Sequence, residues 1–92
     1  MSIRITHIRL SDGIRDHEHI TDVRWTSRED RGEGVSSRAA VVRWIEDGGH
    51  AYVGRAGAEA PITTVHPAFE SAHLRSCAGG AWTDDLLALD EF

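Results

Sequence analysis

The chain predicts an α+β domain: one antiparallel or mixed sheet of about five strands with one packed helix, in the order β-β-α-β-β-β. Three observations carry this. Within residues 36–49 the apolar side chains Val41, Trp44 and Ile45, with Ala40 beside them, recur at helical spacing. Short β-compatible runs lie on both sides of that segment. Gly, Pro and Asp-Gly signals separate the runs.

Residues 3–10 read as a first strand and residues 19–26 as a second. Asp12-Gly13, with Asp16 nearby, supplies the turn chemistry between them. A hairpin centred near residue 14 sets Ile3 opposite Trp25, Ile5 opposite Val23 and Ile8 opposite Ile20, all apolar pairs. The pattern slips, because Ile3 and Ile5 share one parity while Ile8 and Leu10 share the other. Ile20 likewise breaks step with Val23 and Trp25. Side chains alternate along a strand, so the slip requires matched bulges near Thr6-His7 and Thr21-Asp22, or a hairpin whose tip buries its opposite face.

Residues 26–35 are polar and glycine-containing and read as a mobile loop. Ser36 or Ser37 then serves as the helix N-cap, and Gly48-Gly49 supplies a left-handed stop. Glu46 and Asp47 oppose the helix dipole at that end, which calls for a nearby Arg or a frayed last turn. Residues 50–55, 61–66 and 72–77 are three further short strands. The chain closes on a helical turn over residues 82–89, with Thr83 as cap, Asp84 and Asp85 in its first turn, and Leu86, Leu87 and Leu89 docking inward.

Ninety-two residues form one domain (residues 1–92), long enough for a single core. Cys77 is the only cysteine, so no internal disulfide forms. The opening residues alternate and lack the apolar run of a signal peptide, and the longest apolar run, residues 39–42, is far too short to cross a bilayer. A cytoplasmic protein without membrane contact is the expectation. Net charge is −5 and is unevenly spread: residues 1–46 hold eight Arg against eight acids, residues 47–92 two Arg against seven. Such a balance disfavours non-specific nucleic-acid binding. One helix of about three turns does not cover both faces of the sheet, so the exposed face predicts weak homodimerisation or an unknown protein partner.

In order along the chain, five blocks resemble a small, mostly bacterial family catalogued as domain of unknown function 3892. They are Ile5-Thr6; the segment from His19 to Trp25 (His-Ile-Thr-Asp-Val-Arg-Trp); and the helix end from Val42 to Gly48 (Val-Arg-Trp-Ile-Glu-Asp-Gly). Ala51-Tyr52-Val53 and the Asp-x-Leu-Leu-x-Leu close from Asp84 to Leu89 complete them. His73 stands where an aromatic is usual and Asp90 where a Pro often follows, which bears on the packing of the last strand. The resemblance implies a fold and transfers no catalytic or ligand residues.

Four constellations carry possible chemistry. Gly32-Glu33-Gly34 leads into the helix N-terminus, with Arg28, Arg31 and Arg38 flanking it, and the hairpin register sets Arg4 opposite Arg24. Unpaired amides and forked guanidiniums suit a phosphate or nucleotide. Against this, Glu29, Asp30 and Glu33 share the loop, and the glycine spacing matches neither phosphate fingerprint. If His17 and His19 lay on a strand they would point the same way and could share a metal ion, the basis of a weaker metal-dependent hydrolase reading. No second ligand pair follows, however, and exposed histidines near the hairpin tip are the favoured reading. His73 and Cys77, on one strand, stand about 13 Å apart, too far for a base to activate a thiol. Trp25 and Trp44 fall in phase with the core, leaving Trp82 as the exposed indole. No catalytic set, metal site or cofactor is expected. The expected function is a non-enzymatic protein-interaction or self-association module, the alternative an anion, nucleotide or nucleic-acid binder using the Arg-rich first half.

Overall fold

In this computed structural model, which describes residues 2–55 and 57–92, eight strands form one mixed sheet with one helix against it. The strands are β1 (Ser2–Leu10), β2 (Ile20–Ser27), β3 (Glu33–Ser37), β4 (His50–Val53), β5 (Ala60–Val65), β6 (His73–Ala78), β7 (Ala81–Thr83) and β8 (Asp90–Glu91). Helix α1 is Arg38–Glu46. Spatial order is β3-β2-β1-β4-β5-β6-β7, with β8 also beside β1.

The fold class matches the expectation and the strand count exceeds it. The additional strands are β3, β7 and β8, of five, three and two residues. Apart from the exposed Val35 and Trp82 their residues are polar or small, so they carry no hydrophobic alternation of their own; the ladder of a neighbouring strand holds them extended. The segment expected to be a mobile loop therefore contains β3.

The β1–β2 register also differs from the expectation. Ile3 faces Ser27, Ile5 faces Trp25, Ile8 faces Val23 and Leu10 faces Ile20. The connection is longer than a hairpin turn, because 3₁₀ turns at Ser11–Gly13 and His17–His19 occupy it and pairing starts only at Leu10. The parity slip is resolved by bulges: the register shifts between Ile5 and His7 and again between Arg9 and Leu10, leaving Thr6 and Thr21 as the extra residues. Ile5 and Ile8 thus both point inward although three positions apart, as do Ile20 and Val23. The Thr6 bulge also divides the other edge of β1, where β4 runs parallel to residues 2–5 and β8 parallel to His7 and Ile8.

The inner face of the sheet buries Ile5, Ile8, Ile20, Val23, Val53 and Leu74. Helix α1 covers part of it with Val41 and Val42, flanked by half-buried Trp44 and Ile45. The stripe is rolled toward Val42 relative to the expected one, which leaves Ala40 exposed. The Ser37 hydroxyl caps the helix by accepting from the Ala40 amide at 3.2 Å. Gly48 ends it with φ +104°, and the Gly49 amide donates to the Trp44 carbonyl at 2.9 Å. The partner that Glu46 needs at this end is His66, at 2.8 Å, rather than an Arg. In place of the helical turn expected over residues 82–89, Trp82 and Thr83 belong to β7, and the Thr83 hydroxyl donates to Asp85 rather than capping. Residues 84–89 form successive tight turns that seat Leu86, fully buried, in the core. Among the described residues, no helix is long and apolar enough to cross a membrane.

Candidate functional site

Two of the solvent-open clefts among the described residues lie on opposite faces of the sheet. On the outer face, Arg4 of β1 pairs across to Thr26 and Tyr52. Arg28, just past β2, is anchored by its amide to the Ser2 carbonyl (3.0 Å), and its guanidinium lies 4.0 Å over the Tyr52 ring. Glu59, just before β5, accepts from both: Arg4 Nε donates to Oε2 and Arg28 Nη2 to Oε1, each at 2.8 Å. The hydrogen bond from Arg4, followed by that from Arg28, holds the Glu59 carboxyl below the usual carboxylate value. Glu29 accepts from the Ser2 amide at 2.8 Å and from its hydroxyl at 2.9 Å, and these bonds lower its pKa as well. Around them lies a polar cleft of about 530 Å³ lined by Ser2, Arg4, Thr26, Ser27, Arg28, Glu29, Gly57 and Glu59.

Of the seven residues read as an anion site, the structure brings together Arg4 and Arg28. Arg24 faces His7 and Val35 rather than Arg4, because the register differs. Arg31 is exposed in the β2–β3 loop. Arg38 donates to the Glu18 carbonyl at 2.6 Å. The Gly32 amide donates to Asp30 Oδ1 at 2.6 Å and its carbonyl accepts from Ser27 at 2.7 Å, so both serve the turn itself. Gly34 belongs to β3. Local acids were expected to neutralise these arginines; the carboxylate on Arg4 and Arg28 comes from Glu59, in a different part of the chain.

The inner cleft was not foreseen. Trp25 sits opposite Gly34, and its indole N–H donates to the Ser36 hydroxyl at 3.0 Å. The ring lies across the bare backbone of Gly34, where a Cβ would come within 2.7 Å of it. Trp44 packs the same way on Gly49, where a Cβ would approach to 2.3 Å. Between the two indoles, Ile3, Ser36, Ala40 and Val41 complete a largely apolar cleft of about 250 Å³. It runs beside β3, which pairs with β2 and, among the described residues, with no strand on its other edge. That edge carries no Pro or Lys, and Val35 is 55% exposed on it. The signal in the sequence was the coincidence of two glycines with two tryptophans, which becomes legible only once pairing is known.

The histidine pair is separated by its backbone. His17 and His19 occupy a 3₁₀ turn instead of a strand, so they do not share a face. His17 points inward, 4.0 Å from Asp84, while His19 Nδ1 meets the Ser11 hydroxyl at 2.8 Å. Among the described residues, no three His, Cys, Asp or Glu side chains converge to hold a metal ion. His73 and Cys77 lie four apart on β6 as expected.

A family model described as Protein of unknown function (DUF3892) matches residues 4–90. The chain belongs to this family. No curated protein and no solved structure matches it. The stretch shared with DUF3892 runs from β1 into β8 and contains both indoles of the inner cleft together with Arg4, Arg28 and Glu59.

Proposed function

We propose that this DUF3892 chain is a non-enzymatic binding module that takes an extended segment of a partner protein along the free edge of β3. An apolar side chain of that segment enters the Trp25–Trp44 cleft. The observation that carries this reading is the adjacency of an unpaired five-residue edge and an apolar cleft on the same side of it. Strand addition draws affinity from backbone hydrogen bonds and selectivity from such a side-chain pocket. Burying one Leu- or Phe-sized side chain contributes about 1.5–3 kcal/mol, and each ladder bond about 0.5–1.5 kcal/mol. After the cost of ordering the peptide, the dissociation constant falls on the order of 10–1,000 µM.

A second copy of the chain fits less well. Two β3 strands paired edge to edge would present only Gly34 and Ser36 to the inner side, and neither fills the cleft. The test is amide NMR of the full chain against extended hexapeptides with a central Leu or Phe. Shifts should appear at Gly34, Val35, Ser36 and the Trp25 indole N–H. Gly34→Val, which drives the Trp25 ring away, should abolish them while the chain stays folded. Unmoved β3 amides at millimolar peptide, or full binding by folded Gly34→Val, overturn the reading.

The Arg4–Arg28 pair favours a second reading, a phosphate-bearing ligand on the outer face. Such a ligand has to displace Glu59, and its binding weakens steeply with salt, whereas the apolar cleft responds little.

A further inference from the structure

Three buried side-chain nitrogens lack a hydrogen-bond partner among the described residues, and all three lie in one place: His17 Nε2, His73 Nδ1 and Arg75 Nε. Buried polar atoms are nearly always paired, so such a cluster calls for a reason. His17 is 6% exposed and His73 7% exposed. The first comes from the 11–19 connection and the second from β6, so the cluster is where that connection docks on the sheet. The carboxylate in contact with it is that of Asp84: Oδ1 lies 4.0 Å from His17 Nε2 and 3.4 Å from Arg75 Nη2. Asp84 itself is mostly in water, its side chain 75% exposed.

The charges at this junction are easily counted. Facing His17 are Asp16 on its own turn, His73 and Arg75 on β6, and Asp84 on the closing turn. With the His17 imidazole neutral, Arg75 is matched by Asp84. A proton on His17 sets a second cation beside Arg75 against β6. We propose that His17, docked against His73 and Arg75, forms a protonation-gated latch, which holds the 11–19 connection on β6 while neutral and releases it in acid. Burial is the first cause that lowers the His17 pKa from 6.5, and Arg75 the second; Asp84 and Asp16 oppose them. Once undocked, His17 regains its ordinary value. The released form therefore takes up the proton more readily, and its share grows as pH falls below 6.5.

Release has consequences beyond the turn. The same connection sends Arg15 to the Leu87 carbonyl and to Glu91 of β8. It also presents the Glu18 carbonyl to Arg38, the first residue of α1. Opening the latch should loosen the closing turns and the first turn of the helix, leaving β2 and β4 in place.

The test is hydrogen exchange of the full chain by NMR at pH 7, 6 and 5, corrected for intrinsic rates. Opening constants for residues 11–19, with Arg38 and residues 87–91, should rise together as pH falls below 6.5, by at most tenfold per pH unit, the limit for one proton. Val23 and Val53 should not follow. His17→Leu should remove the response, and His73→Gln should shrink it, since His73 is one of the groups that lower the His17 pKa. If His17→Leu does not fold, His73→Gln decides. Equal opening at pH 7 and 5 in the wild-type chain, or an undiminished response in either folded variant, overturns the latch. This outcome is independent of any peptide binding at β3.

Discussion

The two faces of the sheet use the same strands for opposite ends. The inner face is held by apolar side chains that alternate along each strand, and its cleft is left open between Trp25 and Trp44. The outer face is held by charges, and its cleft is already filled from within the chain by Glu59 on Arg4 and Arg28. The difference teaches that a pair of arginines is a ligand site only when nothing else in the fold neutralises it. An apolar cleft has no such internal substitute, because the side chains that would close it are committed to the core.

The largest expected effect sets the faces apart by stability. Leu86 is fully buried at the end of the chain. Leu86→Ala should lower the free energy of unfolding by about 2–5 kcal/mol, read as a lower urea midpoint with unchanged slope. Arg24→Ala, on the outer face, should stay within about 0.5 kcal/mol of the wild type. Comparable losses from the two variants would break the distinction between an inner face that holds the fold and an outer face that does not.

A smaller effect probes the outer cleft directly. Glu59→Gln removes the charge that occupies Arg4 and Arg28 and should lower the unfolding midpoint modestly at neutral pH, since the Glu59 side chain is only 11% exposed and its pKa is held down. Its affinity for inorganic phosphate, measured by calorimetry at low salt, should rise about tenfold or more. A variant that takes phosphate no better than the wild type would show that the two guanidiniums are held by stacking and backbone contacts in a geometry no anion can use.

Legibility in the sequence follows the same division. Periodicity revealed α1, a cap at Ser36 or Ser37 (the structure uses Ser37) and its glycine stop, because those signals sit within a few residues of one another. The bulges at Thr6 and Thr21 were visible as a parity slip, yet the register was not, since it depends on how many residues the connecting turns consume. β3, β7 and β8 left no mark, as their conformation is imposed by β2, β6 and β1. The candidate sites were the least legible part. Glu59 meets Arg4 across 55 positions, and His17 meets β6 from a turn, buried where the sequence pattern left it exposed near a hairpin tip. Both contacts are made by tertiary proximity, for which a single chain carries no periodic signal.

The smallest effect concerns acid below the range of the histidine latch. Glu29 and Glu59 have carboxyls held below 4.5 by the hydrogen bonds they accept. In the folded chain they bind fewer protons than in the unfolded one, so their contribution is complete above 4.5 and is lost as pH falls through the folded values. Urea midpoints followed between about pH 5 and pH 3 should therefore fall more steeply in the wild type than in a Glu29→Gln, Glu59→Gln double variant. Both carboxylates lie on the outer side, and the latch acts at higher pH, so the two acid responses are separable on one titration. Equal slopes would mean that the arginine and Ser2 contacts of the outer face contribute nothing to folding, and that this face is free to exchange its internal carboxylate for a ligand at little cost.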